Sequence, residues 1–482
     1  MSTLVMKFGG STVGTIAGLT QVLSIVLTER ERWDRLLVVV SALDGVTDML
    51  IEAGSLAQMG NRRGYRRIVA NLRTRHMALL EHLPLGAAER GALQADIDRL
   101  WFDLLDVCQS LSDEASGVIL PPSVISSLDS VVGVGERLAA RIVAALLRQN
   151  NLRGVAIDAT DVLITDNVFG NATPDIERTR ARVAANLVPM LDRRIIPVIT
   201  GYIGATRDGK PTTLGRGGSD YSASVIGMSV AADELWIWTD VDGMMSADPN
   251  EIGGARVIPF LSYDEVSELA YFGARILHPR MIAPLREHQI PVRVRNVFKP
   301  QQPGTLIQQG SVAEARESTT DAQRGVLKAV TAIQGISFAA PMRGSLASLM
   351  VFVDETLWTV TRTRAEVLIA AQSSEQSFIC VVVPTTAGLD ASHGLRVEMG
   401  DRLRLRDDLH GWTVDAVSVI TVIGAQVGER SDVTATILRA LGDIHVLGIA
   451  HGASHVSMSV VVESDDSDAA LAALHELVVS RP

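Results

Sequence analysis

At 482 residues, 47% of them hydrophobic and 21% charged, the chain is long enough for two or more domains and has ordinary globular composition, which excludes a disordered class. A formal net charge of −11 without a basic tract argues against a nucleic-acid partner, and the two cysteines, Cys108 and Cys380, have neither metal-ligand nor disulfide-framework spacing. No apolar run approaches the roughly 18 residues of a membrane span, and residues 1–10 read straight into a strand without signal-peptide pattern, so the expectation is a cytoplasmic protein with no membrane contact.

From residue 3 to about 300, short β-branched runs alternate with helical patterns: strands are expected near 3–8, 36–41, 154–158, 195–200 and 234–239. Such alternation implies a mostly parallel α/β sheet. The first strand ends in KFGGST (7–12), followed by a helix from about Thr15. A glycine turn before a helix can offer backbone N–H groups to phosphate oxygens, with Lys7 as cationic partner; a strand-to-helix turn needs glycine in any case. Residues 65–83 and 87–111 carry helical periodicity interrupted by Pro84 and Gly86, and are expected to form a helical insertion at about 55–130. GVGERL (133–138) then opens a helix, where Glu136 is favoured by the helix dipole whatever its role.

Further on, LGRGGSD (214–220) precedes a helix to about residue 231. Its glycines permit close backbone approach to a ligand, and Arg216 can grip a carboxylate with two parallel bonds. Asp220 reads equally well as a helix cap. WTDVDG (238–243) ends a strand, the place where ligands sit in open α/β sheets; a plain Asp-Gly turn accounts for Asp242 and Gly243 but leaves Thr239 and Asp240 without a role.

Between 301 and 325 the composition turns to Gln, Gly, Ser, Thr and Arg, marking a boundary. Beyond it, 412–426, 431–442, 445–463 and 466–479 give the order β-α-β-β-α. A poorer copy precedes it, with strands expected at 328–339, 348–353 and 376–383 and with its first helix short or missing after Ala340.

Taken together, KFGG (7–10), LGRGGSDY (214–221), WTDVDG (238–243) and YFGARILHP (271–279) resemble the aspartate kinases of the amino acid kinase family, and SA (41–42), GERL (135–138), TDNVFGN (165–171) and PGTLI (303–307) resemble them in the same order. The resemblance implies an amino acid kinase domain over 1–308, a linker at 309–325, a degenerate ACT module at 326–400 and a second ACT module at 401–482. With the chain ending at 482, a monofunctional enzyme without a homoserine dehydrogenase half is expected. The implied reaction is ATP- and Mg2+-dependent phosphorylation of the L-aspartate side chain, the first step of aspartate-family amino-acid synthesis.

By the same resemblance, Lys7 and Asp220 are the catalytic pair. Arg216 holds a carboxylate of aspartate, Glu136 its α-ammonium, and Ser41, Thr47 and Ser219 supply hydrogen bonds. Gly9, Gly10 and Ser11 cradle the transferred phosphate, and Thr239, Asp240, Met245, Asn250 and Arg275 line the nucleotide side; no protein metal ligands are expected. Met245, Asn250 and Arg275 stand where the family more often has tyrosine, arginine and lysine, and Ser11-Thr12 reverse its usual order. The ACT tail implies feedback by lysine, threonine or methionine and assembly into a homodimer or larger homo-oligomer. The rival reading is a catalytically weak or inactive amino-acid sensor of the same fold.

Overall fold

The computed structural model describes residues 1–114, 122–273, 277–309, 327–340, 346–361, 365–382 and 391–480. They divide into two compact units, the first formed by 1–244, 259–263 and 277–309, the second by 245–258, 264–273 and the residues from 327 onward.

The first unit starts with β1 (Thr3–Phe8), the short α1 (Gly10–Val13) and α2 (Ile16–Arg30), which begins where the Thr15 hydroxyl accepts from the Gly18 amide at 3.1 Å. After β2 (Arg35–Val40) come the helices of the insertion, α3 (Val46–Gln58), α4 (Arg62–His82), α5 (Ala87–Glu114) and α6 (Pro122–Val132), and then α7 (Val134–Gln149). Next follow β3 (Gly154–Ile157), β4 (Ile164–Thr165), α8 (Ile176–Asn186), α9 (Val188–Asp192), β5 (Ile196–Thr200), β6 (Ile203–Thr206), β7 (Pro211–Thr213), α10 (Gly218–Ser229) and β8 (Glu234–Thr239). The remainder is β9 (Phe260–Ser262), α11 (Tyr263–Tyr271), most of which belongs to the second unit, α12 (Pro279–Glu287), β10 (Val292–Asn296) and β11 (Thr305–Gln308).

The main sheet runs β3-β5-β2-β1-β8-β10-β11-β9, parallel except where β11 turns back on β10. All six residues of β1 and all five of β5 are buried, as strands covered on both faces must be, and this is why they appear in the sequence as largely apolar runs, with only Thr3, Lys7 and Thr200 polar. A separate three-stranded sheet, β4-β6-β7, lies beside the glycine loop at 214–217. The insertion is continuous with the main core: Tyr65, Leu72, Trp101 and Cys108 belong to one buried cluster with Val40 and Leu138. Pro303-Gly304, read from the sequence as part of a boundary, is the turn of the β10–β11 hairpin. Gly304 is obligatory there, at φ +65° and so close to β10 that a Cβ would lie 2.0 Å from the Val294 carbonyl oxygen.

The second unit holds β12 (Leu327–Ala340), α13 (Leu346–Thr361), β13 (Glu366–Gln372), β14 (Ser377–Val382) and α14 (Ala391–Leu403), then β15 (Thr413–Gly424), α15 (Ser431–Ala440), β16 (Val446–Ala450), β17 (Ser457–Glu463) and α16 (Ser467–Ser480). Two β-α-β-β-α copies therefore share one sheet, β13-β14-β12-β15-β17-β16, with β12 and β15 paired antiparallel at its centre. Two expectations are corrected. The strand expected at 348–353 is part of α13, and the helix expected to be short or missing is 16 residues long. Its buried positions Leu349, Phe352, Val353 and Leu357 follow helical spacing, but apolar residues also fill its exposed side, where Val351 and Trp358 are 56% and 44% accessible, and this hid the period.

The second unit also draws in chain from the middle of the sequence. Ser246 is bonded to β12 through the Val330 amide (2.9 Å) and to α16 through His475 Nε2 (2.9 Å). Glu265 pairs with Lys328 at 2.6 Å, Glu268 accepts from the Ser457 hydroxyl at 2.7 Å, and Ala247 packs among Val330, Val422 and Ile437. Among the described residues no helix is long and apolar enough to cross a membrane.

Candidate active site

The carboxyl ends of β5, β2, β1 and β8 finish level with one another, and each loop that leaves them is stitched to its neighbour. Ser41 donates its amide to the Phe8 carbonyl (3.2 Å), Gly201 to Val40 (2.8 Å), and Gly9 to Trp238 (3.3 Å). Lys7, one residue from the end of β1, is 9% exposed and reaches Asp220 in the first turn of α10, Nζ to Oδ1 being 2.6 Å. The alignment is that of an ion pair and not of a directed hydrogen bond. Asp220 is thus no helix cap: Gly217 occupies the N-cap with φ +69° and no side-chain bond, and the carboxylate is turned to Lys7.

Gly10 and Ser11 open α1, where the first amides of a helix have no partner within it. The amide of Gly9, expected to help cradle a phosphate, is given to the Trp238 carbonyl, and a Cβ there would stand 3.8 Å from Lys7 Nζ. At Gly10 a Cβ would meet the Ala42 carbonyl oxygen at 2.7 Å, so the glycine is what lets the loops after β1 and β2 touch. Ser41 and Thr47 stand half-buried on that second loop and on α3, which starts from Gly45 at φ +70°.

Glu136 lies in the first turn of α7 and is 2% exposed. Gly135 permits the helix to press against the 41–45 loop, a Cβ there falling 2.6 Å from the Ala42 methyl, and the Glu136 carboxylate then accepts from its own amide and from that of Ala42. Its Oε2 is buried without a partner. Burial pushes this carboxyl up to about 7, against the partial relief of those two amides and of Arg137.

Arg216 is exposed between two glycines of positive φ, Gly215 (+75°) and Gly217 (+69°), and pairs with no described residue. Ser219 is half-buried beside Gly201, where an added Cβ would lie 2.8 Å from its hydroxyl. At the end of β8 the Thr239 hydroxyl donates to Asp240 (3.1 Å) and the Asn296 amide to the Asp240 carbonyl (3.0 Å). Met245 and Asn250 belong to the second unit, Asn250 in a turn closed by Asp248 at 2.9 Å; Arg275 lies outside the described residues.

Three residues near the site escaped the sequence reading. Tyr202 holds φ +69°, receives the Leu214 amide on its carbonyl (2.9 Å) and bonds Thr213 through its ring hydroxyl, which burial pushes up to about 12. The other two, Asp129 and Arg280, bind the loops around Arg216. Nothing local marks Tyr202, whereas Arg280 adjoins the quoted YFGARILHP stretch and Asp129 precedes GVGERL by four residues.

This arrangement, a buried lysine–carboxylate pair between glycine turns at strand ends with a desolvated carboxylate beside it, is suited to phosphoryl transfer onto a small zwitterionic acceptor. The sequence matches the amino acid kinase family over residues 2–296, more than half its length, and the chain belongs to that family. Residues 420–477 match the ACT domain. The chain is 30% identical over 98% of its length to bifunctional aspartokinase/homoserine dehydrogenase 1 of Zea mays, covering 50% of that protein, and 29% identical to aspartokinase 3 of Arabidopsis thaliana, covering 98% of this chain and 81% of the relative. It spans about half the length of the bifunctional relatives. Among solved structures it is similar in fold to Escherichia coli aspartokinase III in complex with lysine and aspartate (TM-score 0.76, 24% identity, 99% of each chain) and to the aspartate kinase of Clostridium acetobutylicum (TM-score 0.72, 21% identity, 98% of this chain and 99% of that one).

Proposed function

We propose that the chain is an aspartate kinase, transferring the γ-phosphoryl of ATP to the side-chain carboxylate of L-aspartate to give 4-phospho-L-aspartate. The observation that carries this reading is the Lys7–Asp220 pair, buried where the two glycine turns converge. Lys7 faces the charge that builds on the transferred phosphoryl oxygens, and Asp220 holds the ammonium in place. The amides of Gly10 and Ser11 receive phosphate oxygens, Arg216 takes a carboxylate of the acceptor and the free Oε2 of Glu136 its α-ammonium. An aspartate side chain is already ionised near neutral pH, so the attack needs no general base. Mg2+ neutralises phosphate charge when bound. Among the described residues no three carboxylates, imidazoles or thiolates gather into a cation site.

The experiment is ADP release by purified protein with L-aspartate, L-glutamate or no acceptor, with hydroxylamine to trap the acyl phosphate. Aspartate-dependent hydroxamate is the expected product; protein that binds amino acids yet releases ADP with none of them is the sensor, not the kinase.

The two-copy tail supports a second part of the proposal, feedback by an amino acid of the aspartate family, with the copies of two chains joined in a homodimer. The lysine complex of the E. coli protein and the ACT match support the feedback part of this reading. Titration with lysine, threonine and methionine is expected to lower activity for one of them. Flat curves for all three would leave the tail an assembly module.

A further inference from the structure

We propose that Asp129 and Arg280 form a two-ended clamp: they are positioning residues that lock the 170–172 loop onto the 213–217 loop and thereby fix where Arg216 meets the acceptor. The structural half stands by itself, and the functional half rests on the acceptor role proposed for Arg216.

The two loops are each held twice. From α6, Asp129 Oδ2 accepts the Gly170 amide and the Thr213 amide, both at 2.9 Å, while Oδ1 accepts the Thr213 hydroxyl at 3.0 Å. From α12, Arg280 Nη1 donates to Asn171 Oδ1 and to the Leu214 carbonyl, both at 2.7 Å, and Nη2 donates to the Ala172 carbonyl at 3.1 Å. One residue thus grips 170 and 213, the other 171, 172 and 214. The Ala172 amide bonds the Thr213 carbonyl directly (2.9 Å), and the Arg280 guanidinium lies 4.7 Å above the Tyr221 ring, joining the clamp to α10.

The residue types suit these tasks. A carboxylate offers only acceptors and serves all three donors as they stand, whereas an amide of the same shape would have to donate to the Thr213 hydroxyl and so turn round the hydroxyl that Tyr202 also bonds. A guanidinium is a planar fork that can serve three acceptors on separate segments, which an ammonium on a flexible stem does poorly. Both ends of the Arg216 peptide are also walled. A Cβ on Gly215 would lie 2.7 Å from Asn171 Oδ1, and one on Gly217 would lie 2.3 Å from the side chain of His278, which caps the same helix that bears Arg280. Because the Arg216 side chain pairs with no described residue, its backbone is what pre-places it, and the clamp fixes that backbone. The TDNVFGN segment, conspicuous in the sequence but without an assigned role, supplies one jaw.

The test uses the full chain with D129N, R280K and the double variant, each checked for an intact thermal transition. In R280K the amides of Gly170 and Thr213, which are bonded to Asp129 and not to Arg280, are expected to lose protection in hydrogen exchange. In D129N the Ala172 amide should do so. The KM for aspartate should rise about 10- to 100-fold in each single variant while the KM for ATP stays within about twofold, and the double variant should be no worse than the weaker single one. Wild-type exchange at Gly170 and Thr213 in R280K overturns the clamp, as does a double variant whose defect is the product of the two singles. If wild-type protein shows no aspartate-dependent turnover, the acceptor reading fails while the exchange result still decides the clamp.

Discussion

Replacing Lys7 by alanine is expected to lower kcat about 10³-fold while changing the KM for aspartate only a few-fold, because in the role proposed for it the ammonium acts on charge that is fully present only as the phosphoryl group transfers. The substitution has a second effect that must be separated from the first. Asp220 is 8% exposed, and without Lys7 its carboxylate is left buried and unpaired, a change that costs about 3–5 kcal/mol of stability in comparable pairs. Lys7→Ala therefore confounds catalysis with folding. The double variant Lys7→Ala/Asp220→Asn removes both charges and should recover most of the thermal stability lost in the single one, yet remain as slow. Thermal melts and coupled ADP release on wild type and the two variants distinguish the two effects. A folded Lys7→Ala protein within tenfold of wild-type kcat would mean that the phosphoryl charge is met elsewhere, and the assignment of Lys7 would fall.

How much of this was legible beforehand depended on whether a residue's role is settled by its neighbours in sequence. The strands β1, β2, β3, β5 and β8 stand within a residue or two of where their apolar runs place them; for all but the edge strand β3 the reason is that strands buried on both faces leave little room for polar residues. The small sheet of β4, β6 and β7 has strands of two to four residues, too short to carry a period, and β10 alternates Val292 and Val294 with Arg293 and Arg295. Glycines marked the tight turns after β1 and before α10, since the need for positive φ or close approach is local, as at Gly217 and Gly10. Their amides were not legible: that Gly9 spends its N–H on Trp238 follows from strand order.

Long-range ties were equally hidden. Nothing in the 245–258 composition announces that Ser246 meets His475, 229 residues away, or that the stretch running on from WTDVDG passes from one compact unit to the other after Met244. Asp129 and Arg280 are ordinary charged residues until the fold brings four segments together around them.

Glu136 carries the other large effect, and there stability and function should move in opposite directions. Its carboxyl is raised from 4.5 to about 7 by burial, so the folded protein holds this proton more tightly than the unfolded chain does. Stability is therefore lost as pH climbs from about 4.5 to about 7, and above that window the whole cost of a buried, half-satisfied carboxylate is present. Glu136→Gln removes the charge at nearly constant shape. It is expected to melt higher than wild type at pH 8, by an upper bound of roughly 3 kcal/mol, and to show no advantage at pH 5, where wild type is itself protonated. At the same time the KM for aspartate should rise on the order of 100-fold, since the neutral amide cannot pair an α-ammonium that has been taken out of water. Wild-type KM should likewise worsen as pH falls below about 7, and aspartate binding near that pH should expel a proton, visible by calorimetry in buffers of different ionisation enthalpy. A KM flat from pH 6 to 8, together with no gain in melting temperature for the glutamine variant, would show that Glu136 is a buried structural acid. The opposite result would identify the orphaned Oε2 as the reason the site discriminates amino acids from simple carboxylic acids: a charge that is costly without the ligand is satisfied only by a ligand that brings a cation.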